Sequence, residues 1–336
     1  MVGHAAIDET AASASVPAPK EGAGAPKRKP PTPEPAQRRL RMGDGIEIAV
    51  HDVEPGGAGQ PMAQAVFMHG TAMQSRFYFA LTRLLAARGL RVALVDQRGH
   101  GASGGEPGQV AHPMQYADDI ADCLRTQARL HPQLPLFVLA HSGGCSIMLK
   151  ALPRLDVELA GLALLMPTFA HDAAMVRRQG TSSPTTLRLR HGVVPRAARH
   201  VADDGKEPMR FRLPAFLLAR LLRVGRRRPA LICDDPDPAR PAYVYSCDAA
   251  AASMIDDTEA ALAHLRCPLL LATGEQDYWV NDAALHGTLP WMVPARVPFT
   301  SFSYAGANHY TALYQAVKDL DAWIRGAVAA PQMGRA

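Results

Sequence analysis

The stretch Leu136 to Leu152, LFVLAHSGGCSIMLKAL, constrains this chain more than any other. An apolar run of strand length stops at Ser142, and a helix is expected from Ser146 to Leu152. A serine on such a tight strand-to-helix turn stands clear of its neighbours. The first N–H groups of the helix lack intrahelical partners and point towards whatever the hydroxyl attacks. Any fold for this chain must therefore set the end of a buried strand against the start of a helix.

The flanking sequence repeats that alternation. Leu40 to Asp52 reads as an edge hairpin around the Gly43-Asp44-Gly45 turn. Strands are expected at Ala65–Met68, Val92–Val95, Leu136–Ala140 and Leu162–Met166, with helices at Phe77–Arg88 and Pro113–Leu130 between them. Short continuous apolar runs separated by helices are what a mostly parallel sheet covered on both faces requires. The pattern resumes with strand Leu269–Ala272, helix Asp282–Leu285, strand Phe299–Tyr304 and a last helix whose inner face carries Tyr310, Leu313, Tyr314, Val317, Leu320 and Ile324.

Two segments break the alternation. Residues 1–38 are rich in Ala, Pro and Lys and read as a disordered tail. Residues 168–257 are rich in Arg and Pro, show no convincing strand, and carry one strongly apolar segment, Phe216–Leu222. They read as a cap inserted after the sixth strand, into a core formed by 39–167 and 258–330. The apolar segment has two readings, a roof over an acyl pocket or a contact with lipid on one side, a core-facing helix on the other.

Composition narrows the classes further. Forty-eight per cent of the 336 residues are hydrophobic, ample for a sizeable core. The formal charge of +5 is spread along the chain apart from Lys27-Arg28-Lys29 and Arg226-Arg227-Arg228, with no aromatic-interleaved basic stripe, so nucleic acid is not expected as a partner. Five widely spaced cysteines suggest neither a disulfide framework nor a zinc site. Asp118-Asp119 and Asp234-Asp235 lack a third ligand at suitable spacing, and no metal or cofactor is expected. Asp8-Glu9 stand where a secretory h-region would lie, and no apolar run approaches a membrane span, so a cytoplasmic protein is expected.

A serine hydroxyl needs a base to attack at neutral pH, and the base needs an orienting carboxylate. The order Ser, acid, His is met by Ser142, by Asp277 just after one strand, and by His309 just after the last. Glu275 and Asp172 are alternatives for the acid. Two N–H donors must face the oxygen that becomes negative, and Gly143 and Thr71, in the loop after Met68-His69-Gly70, are the candidates. Ser142 could instead be an ordinary helix cap. His69, His100 and His141 are expected to shape loops by hydrogen bonding rather than to react.

Ala140-His-Ser-Gly-Gly144 matches Gly-x-Ser-x-Gly except that Ala140 replaces the first glycine. With His69-Gly70, Asp96-Gln-Arg-Gly-His-Gly-Ala-Ser103 and Gly274-Glu-Gln-Asp277, the chain from about 40 to 330 resembles the α/β-hydrolase superfamily, in its branch of monoglyceride lipases and lysophospholipases. The resemblance implies Ser142 as nucleophile, His309 as base, Asp277 as its partner, and Thr71 and Gly143 as oxyanion donors. The reaction expected is hydrolysis of a carboxylic ester; an apolar roof with arginines near its rim suits a monoacylglycerol or lysophospholipid, and peripheral lipid contact through the cap is one side of the two readings above. Thioester or amide cleavage, or a binding module without catalysis, are the alternatives.

Overall fold

The computed structural model describes residues 34–56, 60–169, 187–189, 192–194, 209–234 and 241–329. The expected tail up to residue 33, the alternative acid Asp172, and much of the first half of the expected cap lie outside the described residues.

Eight strands form the main sheet. They are β1 (Ala36–Arg41), β2 (Glu47–Val53), β3 (Ala63–Met68), β4 (Leu90–Val95), β5 (Leu136–His141), β6 (Gly161–Leu165), and, after residue 257, β12 (Leu269–Gly274) and β13 (Phe299–Tyr304). Short strands β7 (Leu187–Leu189) and β8 (Gly192–Val194) pair with each other, and β9 (Met209–Phe211), β10 (Pro229–Cys233) and β11 (Tyr243–Ser246) make a separate antiparallel sheet. The main sheet runs β1-β2-β4-β3-β5-β6-β12-β13. Only the β1–β2 and β2–β4 pairings are antiparallel; the rest are parallel. β1 begins at Ala36, inside the stretch expected as tail.

Burial follows from that order. Every residue of β3, β5, β6 and β12 is buried, because helices cover both faces of the central strands. The edge strands β1 and β13 keep alternate residues in water. Helices α1 (Phe79–Ala86), α2 (Gln115–Leu130) and α3 (Gly143–Ala151) connect the first parallel strands. The step from β3 to β4 runs one way along the sheet and the step from β4 to β5 the other, so right-handed crossovers send α1 and α2 to opposite faces. The loops after β3 and β5, neighbouring parallel strands, then lie side by side at one edge, where sites form on sheets of this kind.

In residues 168–257, where the β7–β8 pair was also not expected, and at the C-terminus the structure differs from the sequence expectation. The β9–β10–β11 sheet was not expected; its strands are three to five residues long, and the β10–β11 register shifts between Pro229 and Leu231, so no alternation is sustained. The expected last helix is two, α8 (Thr311–Gln315) and α9 (Val317–Ala329). Asn308 Oδ1 accepts the N–H groups of Tyr310 and Thr311 and starts the short helix. The break leaves Leu313, Val317, Leu320 and Ile324 buried but turns Tyr310 and Tyr314 outward.

Between them, α4 (Leu213–Leu222), α5 (Cys247–Ala252), α6 (Thr258–Leu262) and α7 (Asp282–Met292) complete the described helices. Among the described residues no helix is long and apolar enough to cross a membrane.

Candidate active site

The turn after β5 is strained at the expected residue. Ser142 has φ 54° and ψ −123°, a backbone conformation that costs a non-glycine residue energy and persists only where the surroundings fix it. Here they do: Ser142 N–H donates to Leu165 O on β6 at 2.9 Å, and Ser142 O accepts from Cys145 N–H at 3.0 Å. The two glycines are dictated by close approach of the β3 loop. A Cβ on Gly143 would fall 2.0 Å from Thr71 Oγ1, and one on Gly144 would fall 2.7 Å from His69 O. Ala140, the irregular position in the motif, sits fully buried within β5 between Met68 and Leu164, so its methyl is accommodated.

Ser142 occupies the N-cap position of α3, yet its side chain makes no capping hydrogen bond. The capping explanation for this serine therefore fails, and its hydroxyl has no hydrogen-bond partner among the described residues.

Asp277 and His309 meet from two different loops. His309 Nδ1–H donates to Asp277 Oδ2 at 2.7 Å, with Asp277 fully buried and His309 nearly so. The other carboxylate oxygen accepts N–H groups from Trp279 at 2.7 Å and Val280 at 3.0 Å, so the acid is locked by its own turn after β12. Gly274 lets the two loops touch: a Cβ there would lie 2.4 Å from Ala307 O. Glu275, the other described candidate for the acid, points into solvent. With Nδ1 donating to a carboxylate, His309 keeps Nε2 as its basic nitrogen.

The loop after β3 reaches the same place. A Cβ on Gly70 would be 3.0 Å from Ser142 Cβ, and Thr71 N lies 3.3 Å from the position a Cβ on Gly143 would take. Neither Thr71 N–H nor Gly143 N–H donates to another group among the described residues, so two backbone donors stand together beside Ser142. No hydrogen bond joins Ser142 Oγ to His309 among the described residues; such catalytic contacts commonly tighten only when substrate is bound. The His309 loop is nonetheless tied to the serine's neighbour, since His141 Nε2 lies 3.3 Å from His309 O.

Three buried histidines hold these loops. Gln97 N–H donates to His69 Nε2 at 2.9 Å, so the His69 proton is on Nδ1, which donates to Gly70 O at 2.8 Å. Tyr78 Oη accepts Gly70 N–H at 3.1 Å and lies 2.8 Å from His141 Nδ1. His100 Nδ1 donates to Arg98 O at 2.9 Å, and its Nε2 faces Tyr245 Oη at 2.8 Å. Burial pushes all three imidazoles below their ordinary pKa, His100 to about 3 with His69 adding to the effect, and His141 with His309 adding to it. All are neutral bridges, as expected for residues that shape loops.

The Asp-x-Arg-Gly-His-Gly-x-Ser run has a comparable structural basis. Asp96 accepts Ser75 N–H at 2.6 Å and Ala102 N–H at 2.9 Å, while Arg98 pairs with Asp44 and Asp119. Asp119, half of one acidic pair in the sequence, is thus committed to an arginine. The tyrosines Tyr78, Tyr243 and Tyr245 are the residues that sequence reasoning missed. Only the Tyr-Val-Tyr alternation of β11, which puts Tyr243 and Tyr245 on one face, could have flagged two of them.

Comparison with known proteins agrees with this architecture. Residues 59–311 match the family described as serine aminopeptidase, S33. A monoacylglycerol lipase of Mycolicibacterium smegmatis is 29% identical over 180 residues, which is 50% of this chain and 64% of that protein. A human monoglyceride lipase is 31% identical over 109 residues, 32% of this chain and 36% of the relative. The matched stretches thus span less than two thirds of these relatives. Among solved structures, a soluble variant of the Saccharomyces cerevisiae monoglyceride lipase superposes with a TM-score of 0.66 at 14% identity, covering 90% of this chain and 97% of that one. A carboxyl esterase from Bacillus coagulans gives 0.63 at 14% identity, covering 89% and 100%. At such identities the superpositions speak for the fold, and the family match for descent: the chain belongs to the serine aminopeptidase S33 family of α/β-hydrolases.

Proposed function

We propose that this protein is a serine hydrolase that cleaves carboxylic esters through an acyl-enzyme. The observation that carries the reading is the buried His309–Asp277 hydrogen bond at 2.7 Å, next to a strained serine whose hydroxyl caps nothing. In this reading Ser142 Oγ attacks the acyl carbon as its proton passes to His309 Nε2. Asp277 stabilises the imidazolium, and the N–H groups of Thr71 and Gly143 receive the developing negative oxygen. His309 returns the proton to the leaving alcohol, and water, activated by the same histidine, releases the acid.

The substrate we favour is a monoacylglycerol or a similar single-chain acyl ester, the class named for the two relatives above. Support comes from α4 in the segment 168–257, which we read as a cap. It buries Phe216 and Ala219 but leaves Leu218 partly and Leu221 and Leu222 largely in water, an apolar surface suited to lipid contact. A cytoplasmic location fits the five cysteines, all buried as free thiols. The family description favours a second reading, cleavage of amides or peptides by the same residues.

Replacement of Ser142 by Ala tests the mechanism: hydrolysis of p-nitrophenyl decanoate falls to background while the circular dichroism spectrum is unchanged. Retained turnover in that variant refutes it. Parallel assays with p-nitroanilides separate the two readings, and preference for acetate over decanoate counts against the lipid substrate.

A further inference from the structure

The hydroxyl of Tyr245 joins two loops that are far from it in the chain. Tyr245 lies on β11 and is 1% exposed. Its Oη accepts Ala72 N–H at 2.7 Å and lies 2.8 Å from His100 Nε2. The proton positions follow from the partners. A carbonyl can only accept, so the bond to Arg98 O places the His100 proton on Nδ1 and leaves Nε2 as an acceptor. Tyr245 therefore donates its proton to His100 and receives Ala72 N–H, and each group in the chain is satisfied in one direction only.

What this relay holds is an unusual backbone. Ala72 has φ 57°, in the left-handed region that a residue with a Cβ seldom adopts, and it directly follows Thr71. The peptide N–H of Thr71 and the strained Ala72 belong to the same turn, whose other fixed point is Gly70 against Ser142 Cβ. A turn held in such a conformation needs an outside partner, and the partner here comes from 173 residues further along the chain. The neighbouring Tyr243 grips a different loop. Its Oη donates to Gly99 O at 2.9 Å and accepts Gly108 N–H at 2.9 Å, and its ring stacks on His100 with centroids 4.5 Å apart.

We propose that Tyr245 is a positioning residue for the oxyanion site: its hydroxyl, oriented by His100, fixes the left-handed turn at Ala72 and so aims the Thr71 N–H at the reacting oxygen. The inference rests on the esterase reading above and adds to it a residue outside the triad and the oxyanion donors. It also assigns β11 to the fixed part of the site.

The test compares Tyr245→Phe, Tyr243→Phe and His100→Phe with the wild-type protein. Tyr245→Phe keeps the ring and removes only the hydroxyl. Since losing an oxyanion donor outright costs ~100-fold or more, misaiming one is expected to lower kcat about 10-fold. KM should stay within about twofold, because ground-state binding does not use that donor. A trifluoromethyl ketone, to which Ser142 Oγ adds with transfer of its proton to His309 and formation of an oxyanion, should weaken in the same proportion as kcat. His100→Phe reaches the same hydroxyl from the other side and should give the same kcat-specific loss, which keeps the proposal testable if one variant folds poorly. Tyr243→Phe should leave kcat and ketone affinity within about twofold. A raised KM at constant kcat, unchanged ketone affinity in the Tyr245 variant, or equal losses in both tyrosine variants overturns the positioning role. Failure of the esterase reading looks different: the wild-type protein itself would neither hydrolyse the ester nor bind the ketone.

Discussion

His309 Nδ1 donates to Asp277 Oδ2 across 2.7 Å, and both side chains are removed from water. This bond fixes which nitrogen of His309 is basic. In Asp277→Asn an amide N–H can face the ring and turn the tautomer round, putting the proton on Nε2. We predict a loss of roughly 10³- to 10⁴-fold in kcat for p-nitrophenyl ester hydrolysis with little change in thermal midpoint. A loss below tenfold would show that the carboxylate does not orient the base.

The Asp277 and His309 loops touch through a glycine. In Gly274→Ala the new methyl would meet Ala307 O at 2.4 Å, a backbone atom that cannot swing aside. The His309 loop must shift, and we predict a destabilisation of about 1–3 kcal/mol together with a drop in kcat. Denaturant titration and ester kinetics on the same sample check this. An unchanged kcat would mean the loop relaxes without moving His309.

These residues divide by how far the sequence alone could carry them. The central strands were legible because a sheet covered on both faces leaves continuous apolar runs, and Ser142 was legible because strand and helix meet there. Chain order pointed to Asp277 but left Glu275 and Asp172 open as alternatives; that the turn buries Asp277 and exposes Glu275 was not legible in the sequence. The Tyr-Val-Tyr spacing could flag Tyr245 as sharing a face with Tyr243 but not name its partner, a backbone N–H far away in the chain. The β9–β10–β11 sheet was missed because its strands are too short to show a period, and the start of α8 because Asn308 acts through local hydrogen bonds rather than hydrophobic spacing.

Acid sensitivity follows from the buried histidines. His100 is depressed by burial to about 3, against an ordinary 6.5, so the native state holds it neutral while the unfolded chain takes up a proton below 6.5. Its contribution to stability is complete above 6.5 and is lost as pH falls from there towards 3, by up to about 5 kcal/mol on the linkage relation. His69 and His141 are shifted in the same direction. Urea unfolding between pH 7.5 and 4 should show stability falling more steeply in the wild-type protein than in His100→Phe. Parallel curves would contradict the assignment of His100 as a neutral bridge.

The exposed leucines of α4 bear on the substrate. Leu221 and Leu222 are 70% and 64% exposed, and burying one such side chain in an apolar phase contributes about 1.5–3 kcal/mol. A Leu221→Ser/Leu222→Ser double variant is predicted to lose about tenfold or more in activity on a dispersed long-chain monoacylglycerol while its turnover of soluble p-nitrophenyl acetate changes less than twofold. Equal effects on both substrates would remove the lipid-contact reading of this helix.

The central claim is that Ser142 is the nucleophile, and covalent capture tests it most directly. The wild-type protein is treated with a fluorophosphonate, and its peptides are mapped by mass spectrometry. The account predicts a single adduct on the peptide carrying Ser142, formed in step with loss of esterase activity and absent from Ser142→Ala. A folded wild-type protein that stays unlabelled, or one that carries the adduct on another residue, would contradict it.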